Sequence, residues 1–519
     1  MIASLRTASA YPHSVMQIEV IETHISWIVL TGEYVYKIKK PVNFGFLDFS
    51  TLARRKHYCE EELRLNRRFA PALYLDVVAI TGEPPRIQVG GEGKAIEYAV
   101  HMRQFHQQDL LDRYAADRRL DGDIIDAMCD VVTDFHAGAD RYPPDPYYGS
   151  PACVKHWTED NFQQIRSAVT DLTVTGILDR LEQSCRQMFG QIRTLLETRR
   201  RQGQVRECHG DLHLGNMALI DGRVTPFDCI EFNPQLRWID VINEIAFVGM
   251  DLAHRDYPHL TWRFFNRYFQ TTGDYEGLAL LRYFVIYRAL VRAKVEALRL
   301  TQLADEAQPS GPGWQRMNHY LNLAQRWAGR HEPALILLNG LSGSGKSTLA
   351  RAWADQLGAI RLVSDIERKR LFGLEADARS DSGLNDGIYS RDASEQTYAR
   401  LRQLAQQVIA AGLPVLVDAS FLRRAERESF RLLAARLSVP FRIVQCHAPE
   451  SVLRQRIIAR QAAGTDPSEA DVAVLERQLQ THDPLNDEEK PFARLIDTSD
   501  AASIQAGLSD EMRNWLLSR

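Results

Sequence analysis

The stretch LILLNGLSGSGKSTLA, residues 335–350, decides how the rest of the chain is read. An apolar run enters Gly340, and the pattern Gly340-x4-Gly345-Lys346-Ser347 leads straight into a helical segment. In a strand–loop–helix setting, glycines let backbone N–H groups wrap phosphate oxygens, and the helix start adds its positive dipole end. The pattern predicts that Gly340, Ser342, Gly343, Ser344, Gly345, Lys346, Ser347 and Thr348 cradle a nucleotide. Lys346 is expected to bridge the β- and γ-phosphates, and the Ser347 hydroxyl to face Mg²⁺.

Downstream, IRLVSD (360–365), LPVLVDAS (413–420) and FRIVQCHA (441–448) are further apolar runs separated by longer helical segments. That alternation predicts an α/β domain with a parallel sheet and helices on both faces, starting near residue 331. Asp365 then falls at a strand's carboxyl end, where such sheets bind ligands. A carboxylate there can take the proton of an acceptor hydroxyl, with Arg368 one turn further on to meet an anionic group. An N-cap aspartate and a solvated arginine are the plainer reading. Asp418 ends another strand and suits the water shell of Mg²⁺, with a helix cap as its alternative. Beyond HAPE (447–450), Arg456 and Arg460 share a helix face at i,i+4 spacing and suit a lid over transferring phosphates. An exposed basic helix would look the same.

Residues 334–500 resemble the small P-loop kinases, the group of gluconate kinase, chloramphenicol phosphotransferase, zeta toxins and polynucleotide 5′-kinase. The resemblance rests on GLSGSGKS, SD-x-x-R and the arginine-bearing helix. It implies NTP-dependent phosphorylation of a hydroxyl.

Upstream of the Pro/Gly/Ser break ADEAQPSGPG (304–313) stands a second dense motif, HGDLHLGN (209–216). Its Asp211-x4-Asn216 spacing is that of a kinase catalytic loop, in which the aspartate addresses the acceptor hydroxyl and the asparagine binds Mg²⁺. MALI-DG-RVTPF reads as a hairpin returning Asp228 to Asn216, as the main Mg²⁺ ligand. His209 is read as a loop-stiffening residue.

Such a site needs a lysine and a carboxylate to hold it. THISWIVL (23–30) and YVYKIKK (34–40) form a predicted hairpin that puts Lys37 and Lys39 on one face. Lys37, nearer the apolar start of its strand, is the preferred nucleotide lysine. On the helical stretch 52–70, Glu62 shares a face with Tyr58, Leu65 and Phe69, and is the expected partner.

Residues of about 15–300 resemble the aminoglycoside phosphotransferase and protein-kinase-like fold, on HGDLHLGN and FDCIEF (227–232). The resemblance implies a bilobal α+β domain over 1–330. It implies a hinge at backbone groups around Val100–Met102, and an Asp240 that braces the catalytic loop. The chain departs from the pattern in lacking a GxGxxG loop; ETHIS (22–26) replaces it, with the Thr23 and Ser26 hydroxyls as phosphate candidates. Arg199–Arg201 read as a helix charge cap or a solvated face.

With 63 Lys and Arg against 67 Asp and Glu, the 519-residue chain has a net charge of −4, which argues against a general polyanion binder. No stretch approaches the ~20 apolar residues that span a bilayer. Seven scattered cysteines with no metal-ligand spacing point to reduced thiols in the cytoplasm. The expectation is a bifunctional kinase using ATP (or another NTP) and Mg²⁺ on small-molecule acceptors such as sugars. Two alternatives are one catalytic module with a nucleotide-sensing neighbour, and a nucleic-acid 5′-end kinase at the C-terminal site, which would need a Lys/Arg-lined groove.

Overall fold

The computed structural model describes residues 1–45, 47–301, 311–329, 332–376, 378, 387–463, 470–500 and 507–518. By contacts the chain forms two compact units, Met1–Asp251 with Phe284–Ala324, and Leu252–Tyr283 with Gln325–Arg519.

The first unit opens with six strands: β1 (Glu19–Glu22), β2 (Ser26–Leu30), β3 (Tyr34–Lys39), β4 (Tyr74–Glu83), β5 (Arg86–Val89) and β6 (Ala95–Arg103). They make one sheet in the order β1-β2-β3-β6-β4-β5, antiparallel throughout. The helix Leu52–Asn66 packs on β6 and β4, and its first turn is capped by Thr51, whose side chain accepts the Arg54 N–H. Helices dominate after residue 110, among them Gly122–Gly138, Pro151–Ala168, Leu172–Arg201 and Val241–His254. Between the last two lie β7 (Val205–Glu207), the hairpin of β8 (Met217–Ile220) and β9 (Arg223–Pro226), and β10 (Trp238–Asp240), which pairs with β7. A sheet part followed by a helical part bearing the catalytic loop is the expected protein-kinase-like layout.

In the second unit, β11 (Leu335–Asn339), β12 (Ile360–Val363), β13 (Val415–Asp418), β14 (Phe441–His447) and β15 (Ala493–Asp497) form a parallel sheet, ordered β12-β13-β11-β14-β15. The first three strands are buried along their whole length, as their unbroken apolar runs require. The α/β expectation holds, with β15 added at one edge.

The expected boundary near 331 and most of the break at 304–313 lie outside the described residues. The contact division differs from a single cut there in two stretches, Leu252–Tyr283 and the few residues from Gln325 onward, which it gives to the second unit. The helix Pro258–Thr272 packs on the helix Lys346–Leu357 and on β12, so residues 252–283 fold with the second unit.

Candidate active sites

Two clusters of chemically capable side chains form, one in each unit. In the first, the β8–β9 hairpin pairs Met217 with Pro226, and the Phe227 N–H donates to the Asn216 carbonyl at 3.0 Å. That brings the Asp228 loop back to the catalytic loop as the spacing predicted. Asp228 has φ 65, in the left-handed region that aspartate enters more readily than most non-glycine residues. Its N–H donates to the Tyr74 hydroxyl at 3.0 Å, and its carboxylate takes the Lys37 ammonium.

Lys37 also donates to Glu62 at 2.8 Å, so the expected lysine and its expected carboxylate meet. Lys39, wholly buried, donates to the other Glu62 oxygen at 2.7 Å and to Glu231. Glu231, three residues past Asp228, had not been singled out from sequence. Burial pulls both lysines toward neutrality, but the surrounding carboxylates outweigh it and hold both pKa values above the ordinary range. Lys37, Asp228, Tyr74, Phe227 and Met102 line a largely apolar slot, a suitable seat for a flat base with its phosphates at the charged end.

In the 209–216 loop, the Asn216 amide donates to the Asp211 backbone carbonyl at 3.0 Å and to its carboxylate at 3.1 Å. Burial would raise the Asp211 pKa, but His213, 3.5 Å away, and then Arg292 hold it well below the usual carboxylate range. Asp211 is therefore a ready hydrogen-bond acceptor. Asn216 and Asp228 carry the hard oxygen donors of the kind Mg²⁺ takes. His209 is neutral, pushed down to about 4 by burial, and binds the Phe227 carbonyl at 2.8 Å, a stiffening role.

The brace of this loop is Glu244. Its two oxygens accept the His209 N–H at 2.6 Å and the Gly210 N–H at 3.0 Å. Asp240 was expected there; instead it pairs bidentately with Arg199, at 2.8 and 3.0 Å. Arg199 accordingly is a buried partner, neither a charge cap nor solvated, while Arg200 and Arg201 bind Glu197 at the surface. Glu207, also missed, ends β7 and gathers Arg64, Arg68 and Arg237 at 2.8–3.1 Å. It thereby ties the Glu62 helix to the strand that feeds the catalytic loop.

Two small-lobe expectations change. Thr23 spends its hydroxyl inside its own turn, accepting the Ser26 N–H at 2.9 Å, and the Ser26 hydroxyl is buried, so neither stands open to phosphate. Val100 and Met102 lie in β6 between β3 and β4, and their backbone groups serve the sheet. At the end of the strand the Arg103 N–H, and just past it the Gln104 N–H, are also taken, by the Leu73 and Glu33 carbonyls.

In the second unit, Gly340 (φ 149) and Gly343 (φ 79) sit where a Cβ would come within 2.6 Å of the Cys446 and Leu453 carbonyls, respectively. Only glycine fits that close approach. Lys346 donates to the Leu341 carbonyl at 2.8 Å, and burial lowers its pKa against the pull of Asp418. The Ser347 hydroxyl donates to Asp418 at 3.3 Å, a hydroxyl–carboxylate pair suited to a hydrated Mg²⁺. One cavity of about 470 Å³ is lined by Ser342, Gly343, Gly345, Lys346, Ser347, Thr348, Asp365, Arg368, Asp418, Arg456 and Arg460.

Asp365 is the second residue of the helix Ser364–Leu371 and is not its cap. Arg368 is buried, not solvated; it donates to the Ile388 carbonyl at 3.0 Å and lies over the Tyr389 ring. Arg456 reaches the Thr498 carbonyl at 2.6 Å and Arg460 the Ala470 carbonyl at 2.6 Å. Two residues here were missed. Arg361 pairs with Asp418, and the Gln478 amide oxygen accepts the Ser342 N–H at 2.8 Å.

Residues 335–485 match the AAA domain family. An adenylyl-sulfate kinase from Myxococcus xanthus is 29% identical over 180 residues, 35% of this chain and 89% of that protein. A choline kinase structure from Cryptosporidium parvum aligns with a TM-score of 0.38 at 13% identity, over 60% of this chain and 88% of that one. Among the described residues, no helix is long and apolar enough to cross a membrane. The stretch that matches the AAA domain family holds the glycine-rich loop between β11 and the helix Lys346–Leu357. A Mycobacterium tuberculosis protein, Rv2004c, is 30% identical over 457 residues, 88% of this chain and 89% of its own length, and the chain belongs to its family.

Proposed function

We propose that the protein is a bifunctional phosphotransferase, with one ATP-dependent kinase site in each unit and a small polyhydroxylated metabolite as the acceptor class. What supports this is that each unit brings together the residue types such a transfer needs. Lys37 held by Glu62, with Asp211, Asn216 and Asp228, makes one set. Lys346, Ser347, Asp365 and Asp418 on a single cavity make the other.

In the first site, Asp228 and Asn216 would hold Mg²⁺, Lys37 would turn from Asp228 to the phosphates, and Asp211 would orient the acceptor hydroxyl and receive its proton. In the second, the loop N–H groups and Lys346 would hold the phosphates, with Ser347 and Asp418 on the metal side. Asp365 would take the acceptor proton, and Arg456 and Arg460 would leave their carbonyl partners for the phosphoryl group. When bound, Mg²⁺ supplies charge neutralisation at the phosphates; the rest of the rate enhancement comes from alignment and fixed charge.

The test is transfer of labelled phosphate from ATP onto a panel of metabolites and oligonucleotides. Wild type is compared with Asp211→Ala and Lys346→Ala. Products that each depend on one residue alone are the expected result. No transfer to any hydroxyl compound, with nucleotide binding intact, would reject the reading.

A further inference from the structure

Strand β12 is one edge of the second unit's sheet, so its outward backbone groups need partners from elsewhere. The helix Pro258–Thr272 supplies them. Asn266 accepts the Arg361 N–H at 2.8 Å and donates to the Ala359 carbonyl at 3.0 Å; Gln270 donates to the Arg361 carbonyl at 3.3 Å. The buried Asn266 amide thus stands in for a neighbouring strand.

The Arg361 side chain continues inward. Its guanidinium gives two hydrogen bonds to one Asp418 oxygen, at 2.5 and 3.1 Å, and both partners are buried. The other Asp418 oxygen is left to the Ser347 hydroxyl at 3.3 Å. Four residues on four elements therefore form one relay, Asn266–Arg361–Asp418–Ser347, ending at the phosphate loop.

We propose that Asn266 and Arg361 are positioning residues of the C-terminal site. Asn266 fixes the Arg361 backbone, and Arg361 turns Asp418 so that one oxygen faces Ser347 on the metal side of a bound nucleotide. This rests on the reading of that site as a Mg²⁺-nucleotide site. It makes residues 252–283, which in sequence fall between the two stretches of the first unit, a working part of the second site.

The experiment uses the full-length chain with Asp228→Asn, which silences metal at the other site. A fluorescent ATP analogue is titrated in EDTA and at rising MgCl₂. Arg361→Met is expected to raise the Mg²⁺ needed for half-maximal Mg-dependent binding by ~10-fold, the usual cost of losing a partner behind a metal ligand. Asn266→Ala should give a smaller rise and Arg361→Lys a partial recovery, all with metal-free affinity unchanged.

Wild-type Mg²⁺ dependence in the folded variants overturns the proposal. So does an equal fall of metal-free and Mg²⁺-dependent affinity, which would mark a fold effect. If Arg361→Met does not fold, Asn266→Ala decides, because it keeps the ion pair. A parallel Lys346→Ala control that still binds nucleotide normally would instead overturn the reading of the site itself.

Discussion

Glu62 gives one oxygen to each of two lysines, Oε1 to Lys37 at 2.8 Å and Oε2 to Lys39 at 2.7 Å. The lysines alternate along β3, so both project from the same face toward one helix. Burial would raise the Glu62 pKa, but the two ammonium groups outweigh it and keep the carboxylate ionised. The pair divides the work of the site. Lys37 borders the largely apolar slot beside the part-exposed Asp228, whereas Lys39 is closed in between Glu62 and Glu231.

Lys39→Met is therefore expected to act on stability. It leaves two buried carboxylates short of a partner, a loss of about 3–5 kcal/mol. Lys37→Met should lower the melting temperature less, because Asp228 can turn to water, yet it should abolish nucleotide binding at that site. Thermal melts and nucleotide titrations of both variants check this. A Lys39→Met protein as stable as wild type would refute the division.

Glu244 predicts a pH effect. Burial raises its pKa from 4.5 to about 6, against the pull of Arg288 and the two backbone N–H groups. A carboxyl group raised on folding makes stability fall as pH rises from about 4.5 to about 6, and the effect is level above that. Loop geometry runs the other way, since both N–H groups are best accepted by the ionised form. First-site turnover, measured in a Lys346→Ala background, is expected to fall as pH drops through about 6. Glu244→Gln has only one good acceptor, leaving one N–H orphaned at ~1–3 kcal/mol. It should be slow at every pH and lose that step. An unchanged profile in Glu244→Gln would exclude the loop-bracing role.

The contrast of Glu244 with Asp240 shows what the sequence could carry. The return of Asp228 to HGDLHLGN and the glycine-rich loop were legible because their residues lie close in the chain and their spacing implies the geometry. Glu62 was legible because helical periodicity gives it a face. Asp240 and Glu244 stand one turn apart in the same apolar run, and only the fold decides which meets the loop. Asp240 is claimed by Arg199, 41 residues upstream, a contact that no local pattern announces. Edge strands β1 and β15 were missed because short, part-exposed runs such as ARLID have no clear period, and β5 because its alternation, RIQV, lasts only four residues. The attachment of residues 252–283 to the second unit was invisible for the reason that Arg199 was. Asn266 meets its partners 93 and 95 residues away.

Asp355 offers a second pH test. Burial beneath the helix Pro258–Thr272 raises its pKa to about 7, opposed by Arg263 and by a hydrogen bond with Asn266. The folded state thus binds its proton more tightly, and this group makes stability fall as pH rises from about 4 to about 7. Asp355→Asn removes the charge that neutral pH would force on it. The variant should melt a few degrees above wild type at pH 8 and show no such gain at pH 4. Equal gains at both pH values would assign the effect to packing instead.

The two sites are expected to be chemically separable. Asp211→Ala should remove first-site transfer and leave an activity that Lys346→Ala abolishes, and the reverse should hold. On the proposed reading each unit would supply its own phosphate lysine, metal-side carboxylate and acceptor base, and the contacts that hold each set come from that set's own unit. Separability also requires that binding survive where only chemistry is lost. Asp211→Ala should keep first-site nucleotide affinity, because Asp211 addresses the acceptor, whereas Asp228→Ala should lose Mg²⁺-dependent binding there. Coupling through the chain is still expected to change rates modestly, since residues 252–283 join the two stretches of the first unit while packing in the second. The measurement is phosphotransfer by both single variants and the double variant against every acceptor found. If either single substitution eliminates all transfer in a folded protein, independent sites are excluded and one unit serves as the nucleotide-sensing partner of the other.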